Sequence, residues 1–241
     1  MLGLVLAAGA GRRLRPHTDE LPKALVPVNG RTVLESTLAN FAAVGIRDVV
    51  VVVGYRAEAI ESRVDELQRA TGVAIELVHN DHAEDRNNAY SLWCARTWLA
   101  KGVLLANGDT LHPSSVETDL LAEDRTSLTL AIDTVKSLGD EEMKVRADAD
   151  GRIVQISKQL PWDVTGEYIG VCSIPASCGD LLADALERTW SADHQRWYED
   201  AFQLLADEGE RIDSVAIGDV AWVEIDDHAD LAKAKALACR S

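Results

Sequence analysis

A glycine-rich segment near the start of the sequence has the residue types and spacing for binding phosphate. It reads Leu6-Ala7-Ala8-Gly9-Ala10-Gly11-Arg12-Arg13-Leu14, it directly follows the apolar run Leu2–Leu6, and Pro22-Lys23 comes shortly downstream. Gly and Ala let the backbone approach a ligand closely and expose its N–H groups, while Arg12 and Lys23 supply positive charge. We therefore predict that this loop and Lys23 bind a phosphorylated ligand.

Carboxylates at two distant places in the chain are candidate metal ligands. Asn107-Gly108-Asp109 ends an apolar run, and Glu224 and Asp226 belong to a later apolar segment. Alternation along a strand puts Glu224 and Asp226 on one face, and Mg²⁺ prefers one or two carboxylates together with phosphate oxygens. The alternative for Asp109 is a turn residue. Asp226 is favoured as the ligand over Glu224, and the next residue, Asp227, as a helix N-cap.

Several residues between these groups could contact a second substrate. Asn88 and Ser91 lie at helical spacing near a predicted helix N-terminus, which favours an anion. Lys158 carries a flexible point charge suited to a phosphate, and Glu167 either pairs with Lys158 or contacts that substrate. The alternatives are a capping role for Asn88 and a solvated strand position for Lys158. Lys144 is expected to face solvent.

The segment Trp197-Tyr198-Glu199-Asp200 combines aromatic rings with carboxylates. Such a group suits an ammonium or trimethylammonium ligand through cation–π and Coulomb attraction. From it we take Trp197, Tyr198 and Asp200 as candidate acceptor contacts. The alternative is a helix start whose aromatic rings pack into the core. Trp162 and Asp133 are weaker candidates for the same role.

The elements that must position these residues follow a strand–helix alternation in the first half of the chain. The predicted strands there are Leu2–Ala7, Asp48–Val53, Val73–His79 and Val103–Ala106. The predicted helices are Thr32–Val44, Arg56–Ala70 and Asn88–Leu99. Continuous apolar strands alternating with helices predict a mainly parallel sheet that is covered on both faces, with ligands beyond the carboxyl ends of its strands.

The second half is predicted to be more elaborate. Its expected strands are Ser127–Asp133, Met143–Asp148, Arg152–Ser157 and Tyr168–Ile174, with a hairpin turn at Asp150-Gly151. Helices at Cys178–Thr189 and Arg196–Glu208 precede a final strand pair, Asp213–Ile217 with Ala221–Ile225, and a last helix from His228. Because no linker is evident, we expect a single domain over residues 1–241, with a nucleotide-binding half (1–110) and an acceptor-binding half (111–241).

Composition limits the class of protein. The chain has 241 residues and a formal net charge of −16, which argues against a nucleic-acid partner. No apolar stretch reaches the length of a membrane span, and no secretion signal is evident. The four cysteines lack metal-type spacing, so we expect reduced thiols and a cytoplasmic location. Homo-oligomerisation is left open.

The phosphate-binding loop resembles the opening of the sugar-phosphate nucleotidyltransferases, which have a Leu-Ala-Ala-Gly-x-Gly-x-Arg-Leu loop followed by Pro-Lys. Leu6–Leu14 fits this pattern with one extra Arg, and Pro22-Lys23 fits its second part. A dinucleotide-binding fold would instead require a third Gly where Arg13-Leu14 stands, and an acidic residue at the end of the second strand. The nearest candidate, Glu20, falls in a loop.

Further segments are similar to one branch of that superfamily, which includes phosphocholine, 2-aminoethylphosphonate and inositol-phosphate cytidylyltransferases. These segments are Asn87–Leu92, Glu142–Val145, Ser157-Lys158 and Gly166–Gly170. The resemblance implies a Rossmann-like three-layer α/β/α nucleotidyltransferase fold, with a mainly parallel central sheet and an elaborated C-terminal half.

The resemblance also implies roles for the candidate residues. Arg12 and Lys23 bind the triphosphate together with the loop, Asn107 and Asp109, and Lys158 steers the acceptor phosphate. Asp109 holds Mg²⁺, and a late acidic residue completes the metal site, for which Asp226 is preferred to Glu224.

The implied reaction moves a nucleoside monophosphate onto a small phosphate or phosphonate acceptor, with release of pyrophosphate. CTP is the preferred donor. Two alternatives stay open: a sugar-1-phosphate nucleotidyltransferase that uses UTP, dTTP or GTP, and a regulator that binds a nucleotide without catalysis.

Overall fold

The computed structural model describes residues 1–122, 126–161 and 163–237 of the chain. Its strands are β1 (Leu2–Ala7), β2 (Pro27–Val28), β3 (Arg31–Thr32), β4 (Asp48–Val53), β5 (Ala74–His79), β6 (Val103–Asn107), β7 (Thr110–Leu111), β8 (Leu128–Asp133), β9 (Lys144–Ala147), β10 (Ile153–Ser157), β11 (Gly166–Ile174), β12 (Ile212–Ala216) and β13 (Val223–Glu224).

The helices are α1 (Val33–Ala43), α2 (Ala57–Glu61), α3 (Val64–Thr71), α4 (Asn88–Cys94), α5 (Arg96–Leu99), α6 (Ser115–Leu121), α7 (Gly179–Ala192), α8 (Tyr198–Asp207) and α9 (His228–Leu237). Short 3-10 turns at Arg12–Leu14 and Lys23–Leu25 belong to the loop that follows β1.

One nine-stranded sheet takes strands from both halves of the chain. Its main path is β10-β9-β11-β6-β1-β4-β5, while β8 pairs with β11 and β12. The neighbours β6-β1-β4-β5 are parallel, and β12 runs parallel to β8. The antiparallel pairings are those of β11 with β6, β8 and β9, and the β9–β10 hairpin.

Helices cover both faces of this sheet because its strands bury apolar side chains on both sides. One core is formed with α1, α3 and α6 and contains Leu38, Phe41 and Val51. The other core is formed with α4, α5, α7 and α8 and contains Leu92 and Phe202. The arrangement confirms the expected three-layer α/β/α fold with its mainly parallel sheet and elaborated C-terminal half.

The order of the strands places the candidate site. The chain continues from β1 to β4 and β5 on one side and returns to β6 on the other side of β1, where Leu6 pairs with Asn107. The carboxyl ends of β1 and β6 therefore meet at a topological switch point, where ligands bind in open α/β sheets. A small third core with Leu14, Val26 and Ile225 holds the loop after β1 against β13 and α9.

Several predicted elements differ in detail. The strands β12 and β13 do not pair with each other: β12 adds to β8, and β13 pairs with β7 beside the loop after β6. The expected helix Arg56–Ala70 is two helices separated at Ser62-Arg63, and the expected helix Asn88–Leu99 is interrupted at Ala95. The hairpin at Asp150-Gly151 is confirmed by the antiparallel pairing of β9 with β10.

Among the described residues no helix is long and apolar enough to cross a bilayer. The three cysteines in this part of the chain, Cys94, Cys172 and Cys178, are free thiols. Cys239 lies outside the described residues.

Candidate active site

The loop after β1 is shaped by a glycine with left-handed backbone geometry. Gly11 has φ 59°, and a Cβ there would lie 3.0 Å from Cβ of Lys23, so a side chain would be strained and would press on the lysine. The Thr18 hydroxyl donates to the Gly11 carbonyl at 2.8 Å, and the Lys23 N–H donates to the Gly9 carbonyl at 3.3 Å. The close approach to Gly11 and the hydrogen bond to Gly9 thus fix Lys23 against the backbone of the glycine-rich loop.

Gly108 brings the end of β6 against the end of β1. Its N–H donates to the Leu6 carbonyl at 2.9 Å, and a Cβ on Gly108 would lie only 2.6 Å from that oxygen. This close approach places the next residue, Asp109, beside the glycine-rich loop after β1. The β7–β13 pairing, in which Thr110 faces Glu224, brings the late acidic segment to the same place.

Asp109, Glu224 and Asp226 form one acidic cluster. Each offers a carboxylate oxygen, and the three oxygens lie within 4.8 Å of one another. Asp109 Oδ1 is buried and has no hydrogen-bond partner among the described residues. Oxygen ligands at this separation, one of them unpartnered, fit a hard divalent cation such as Mg²⁺.

Lys23 lies against this cluster. Its Nζ donates to Asp109 Oδ2 at 2.8 Å and to Asp226 Oδ1 at 2.5 Å. Burial alone would lower the pKa of Lys23, but the two carboxylates outweigh it and hold the pKa above its ordinary value. Burial would likewise raise the pKa of Asp226, yet Lys23 and Arg13, whose Nη2 is 2.8 Å away, lower it.

Glu224 differs from its two neighbours because it has no cationic partner in direct contact among the described residues. The residue itself is exposed at the edge of the site. Partial desolvation of its carboxyl, together with the charges of Asp109 and Asp226, raises its pKa to about 8. A bound cation would remove this repulsion.

A single cavity of about 510 Å³ joins the loop, the acidic cluster and the candidate acceptor residues. This volume is ordinary for a small-molecule site. The residues predicted from the sequence that line it are Leu6, Ala7, Ala8, Gly9, Gly11, Arg12, Lys23, Asn88, Ser91, Asn107, Asp109, Lys158, Trp197, Glu224 and Asp226. Arg12 makes no ion pair within the part of the chain that the structure describes.

One wall of the cavity comes from the start of α4. Asn87, rather than Asn88, caps this helix, and the Asn88 side chain accepts from the Tyr198 N–H at 2.9 Å. Ser91 accepts from Asn80 Nδ2 at 2.9 Å. The same wall contains Arg86, which the sequence analysis missed.

Arg86 is held by aromatic rings. Its Cζ lies 4.3 Å from the centroid of the Tyr90 ring and 4.9 Å from that of Trp190, and its buried Nε has no hydrogen-bond partner among the described residues. Tyr90 is four residues further along the chain, but Trp190 comes from α7, so no local pattern could have identified this position.

An adjoining part of the wall, joined to the start of α4 by the hydrogen bond from Tyr198 to Asn88, carries Lys158, Trp197 and Glu199. Lys158 Nζ lies 5.2 Å from the centroid of the Trp197 ring, a cation–π distance. Burial raises the pKa of Glu199 to about 7, whereas the positive charge of Lys158 lowers it. Glu199 lines the cavity, although only its neighbours in sequence were predicted as contacts.

Four predicted site residues do not line the cavity: Ala10, Glu167, Tyr198 and Asp200. Tyr198 begins α8 and points into the core, where its hydroxyl is 3.1 Å from Asn107 Oδ1 and 3.2 Å from the Tyr168 hydroxyl. Asp200 accepts from the Trp197 N–H at 2.9 Å and thereby caps α8. Glu167 pairs with Lys136 at 3.0 Å and not with Lys158. The acceptor contacts predicted for Glu167, Tyr198 and Asp200 thus have no place on the wall of this cavity.

Three further expectations have definite outcomes. Lys144 is buried, contrary to the solvent-facing prediction, because its Nζ donates to the Lys158 carbonyl at 2.7 Å. Asp133 accepts from Trp222 Nε1 at 2.7 Å and is not among the residues that line the cavity. Asp227 accepts the N–H groups of Ala229 and Asp230 at the start of α9, as predicted for an N-cap. Trp162 lies outside the described residues.

The comparison with protein families agrees with this geometry. The model of the MobA-like NTP transferase domain matches residues 3–139, a segment that includes the loop, Lys23 and Asp109. The chain belongs to this family. The membership confirms the resemblance to nucleotidyltransferases.

The relatives of this MobA-like chain include cytidylyltransferases. It is 37% identical over 148 residues to the CMP-5'-(3-aminopropyl)phosphonate synthase of Streptomyces rubellomurinus, and the aligned region covers 61% of this chain and 23% of that protein. It is 37% identical over 120 residues to the choline-phosphate cytidylyltransferase of Streptococcus pneumoniae, half of each chain. The chain thus spans half or less of the length of each of these two relatives.

A solved structure confirms the fold over nearly the whole chain. The inositol-1-phosphate CTP transferase from T. maritima superposes with a TM-score of 0.82 at 24% identity, covering 98% of this chain and 94% of that one.

Proposed function

We propose that this chain transfers CMP from CTP to a small acceptor that bears a phosphate or phosphonate group, with release of pyrophosphate. One observation carries the proposal: the acidic cluster Asp109, Glu224 and Asp226 shares a cavity with the phosphate-binding loop, Lys23 and Lys158. The basic residues complement the negative charge of a triphosphate, and the carboxylates complement the positive charge of a divalent cation.

The donor side of the cavity suits a triphosphate. The backbone of the loop and the side chains of Arg12, Arg13 and Lys23 would bind its phosphates. Asp109 and Asp226, with Glu224, would hold Mg²⁺, which when bound neutralises the reacting phosphates. In a site with bound magnesium, Lys23 would give up its carboxylate partners and turn to a phosphate.

The chemical step needs little from the protein beyond positioning and charge. An oxygen of the acceptor phosphate or phosphonate attacks the α-phosphorus and forms a new P–O bond, while the bond from the α-phosphorus to the α–β bridging oxygen breaks. The electron pair leaves with pyrophosphate. Because the attacking oxygen is already anionic near neutral pH, no general base is required, and catalysis comes from orientation and electrostatic stabilisation.

Lys158 is suited to steer the acceptor. Its positive charge acts on the carboxyl groups of Glu199, Glu224 and Asp226 alike, and it lines the same cavity as all three. An acceptor phosphate near Lys158 would be next to the metal-bound triphosphate.

The test is pyrophosphate release from CTP, UTP, dTTP and GTP, each with phosphocholine, 2-aminoethylphosphonate, inositol phosphate and a sugar 1-phosphate. We expect pyrophosphate release with CTP and a small phosphate or phosphonate. Asp109→Ala should lower the rate of release by at least about a hundredfold, whereas the exposed control Asp219→Ala should release pyrophosphate at the wild-type rate. Release only with UTP, dTTP or GTP and a sugar 1-phosphate would replace the proposed substrates. Binding of CTP with no release under any condition would mark a non-catalytic regulator.

A further inference from the structure

Glu199 is a buried carboxylate that the reaction, as described, does not use. It is 6% exposed, it lines the cavity, and its Oε2 has no hydrogen-bond partner among the described residues. A buried carboxylate oxygen without a donor loses its hydration and gains nothing in return. The buried carboxylate of Glu199 therefore lowers the stability of the folded protein, and it is suited to a ligand that supplies the missing hydrogen-bond donor.

The neighbours of Glu199 define the chemistry of that ligand. The charge of Lys158 acts on Glu199, but Lys158 forms no ion pair with it within the described residues, and its Nζ lies over the Trp197 ring. The Tyr168 and Tyr198 hydroxyls lie 3.2 Å from each other, and Asp200 is engaged in capping α8. Burial disfavours the charged form of Glu199 and raises its pKa to about 7, so a cation placed at the unpartnered Oε2 would favour the ionised carboxylate.

We propose that Glu199 accepts a hydrogen bond from the primary ammonium group of the acceptor, and that it selects aminoalkyl phosphonates or phosphates over trimethylammonium compounds. The inference rests on the proposed function and narrows its substrate class. An –NH₃⁺ group has three N–H donors for Oε2. A trimethylammonium group has none, and it is held best by a cage of aromatic faces.

The cavity wall favours the first of these groups. Trp197 is the exposed aromatic residue beside Glu199, and its ring already contacts the Lys158 cation. Tyr168 is 3% exposed, so little of its face is available. Lys158 would bind the phosphonate end of the acceptor, and Glu199 the ammonium end.

The test measures binding, so it does not depend on turnover. Isothermal titration in the presence of Mg²⁺ would compare 2-aminoethylphosphonate, its N,N,N-trimethyl analogue and ethylphosphonate, with wild type, Glu199→Gln, Glu199→Asp and the exposed control Glu210→Gln. We expect wild type and Glu210→Gln to bind the primary amine about 10- to 100-fold more tightly than the other two ligands, the range for a hydrogen bond between charged groups. Glu199→Gln should lose this preference while retaining its affinity for ethylphosphonate.

Glu199→Asp keeps the charge and should retain part of the preference, which shows that the carboxylate and not the fold is responsible. Equal binding of the primary amine and its trimethyl analogue by wild type would overturn the inference, as would an equal loss for all three ligands in Glu199→Gln. Pyrophosphate release with these acceptors would be assayed in parallel. A preserved amine preference without release would contradict the proposed function alone, and release without the preference would contradict only the role of Glu199.

Discussion

Lys23→Ala is predicted to destabilise the protein in a way that magnesium repairs. The Lys23 side chain is 12% exposed and its Nζ contacts both Asp109 and Asp226. Removal of the ammonium group leaves two carboxylates whose oxygens lie within 4.8 Å of each other, and among the described residues Arg13, which contacts Asp226, is the cation that remains.

The size of the effect follows from that separation. Two like unit charges at 4.8 Å repel by roughly 3 kcal/mol at an effective dielectric constant of about 20. Because Arg13 and solvent relieve part of this repulsion, we expect the free energy of unfolding to fall by about 2 kcal/mol without divalent cations. For a chain of this length that corresponds to a melting temperature about 4–8 °C lower.

Thermal unfolding in EDTA and in millimolar Mg²⁺ is the assay. In wild type, magnesium must displace Lys23 from the carboxylates, whereas in Lys23→Ala it meets no such competition. Magnesium should therefore raise the melting temperature of the variant more than that of wild type, and the exposed control Lys101→Ala should behave as wild type. A loss of stability in Lys23→Ala that is the same with and without magnesium would refute this reasoning.

Three further predictions concern other parts of the molecule. Arg86→Gln should raise the KM for CTP or for the acceptor about tenfold or more, because a guanidinium that forms no ion pair among the described residues is available on the cavity wall to bind an anion; unchanged steady-state KM values for both substrates would contradict it. Burial raises the pKa of Glu117 from 4.5 to about 8, so the contribution of Glu117 to stability is lost as pH rises from about 4.5 to 8. Burial lowers the pKa of His112 from 6.5 to about 4, so the contribution of His112 is lost as pH falls from about 6.5 to 4. Glu117→Gln should accordingly be about 4 kcal/mol more stable than wild type at pH 8 and about equal to it at pH 4, and urea unfolding that shows the same difference at both pH values would contradict the raised pKa of Glu117. Gly108→Ala should lower stability by about 2 kcal/mol or more through the clash with the Leu6 carbonyl and reduce pyrophosphate release; a folded variant with wild-type stability and activity would show that the close approach is unimportant.

The parts of the fold that depend on local patterns could be predicted from the sequence. The valine run of β4 and the loop after β1 were located because burial on both faces, and close approach to phosphate, each impose a short continuous pattern. The break between α2 and α3 at Ser62-Arg63 was not predicted, because the amphipathic pattern of the sequence continues across it. The pairing of β12 with β8 depends on contacts that are distant in sequence.

The candidate site shows the same division. Asp109 was predicted because it follows a recognisable apolar strand, and Glu224 and Asp226 because they alternate along a later apolar segment. At the start of α8, however, one residue corresponds to a rotation of about 100°, and that phase decides which side chain reaches the cavity: Glu199 does, and Tyr198 does not. Lys144 was misplaced for a similar reason, since which face of a strand is buried depends on its neighbours.

The most direct test of the proposed function identifies the product. Wild-type protein would be incubated with CTP, Mg²⁺ and 2-aminoethylphosphonate, and the mixture analysed by phosphorus NMR and mass spectrometry alongside a pyrophosphate assay. We predict a CMP–aminoethylphosphonate conjugate that forms in a one-to-one ratio with pyrophosphate and is absent with Asp109→Ala. CTP that stays intact, or that is hydrolysed to CMP with no conjugate for any phosphate or phosphonate acceptor, would contradict the proposed transfer.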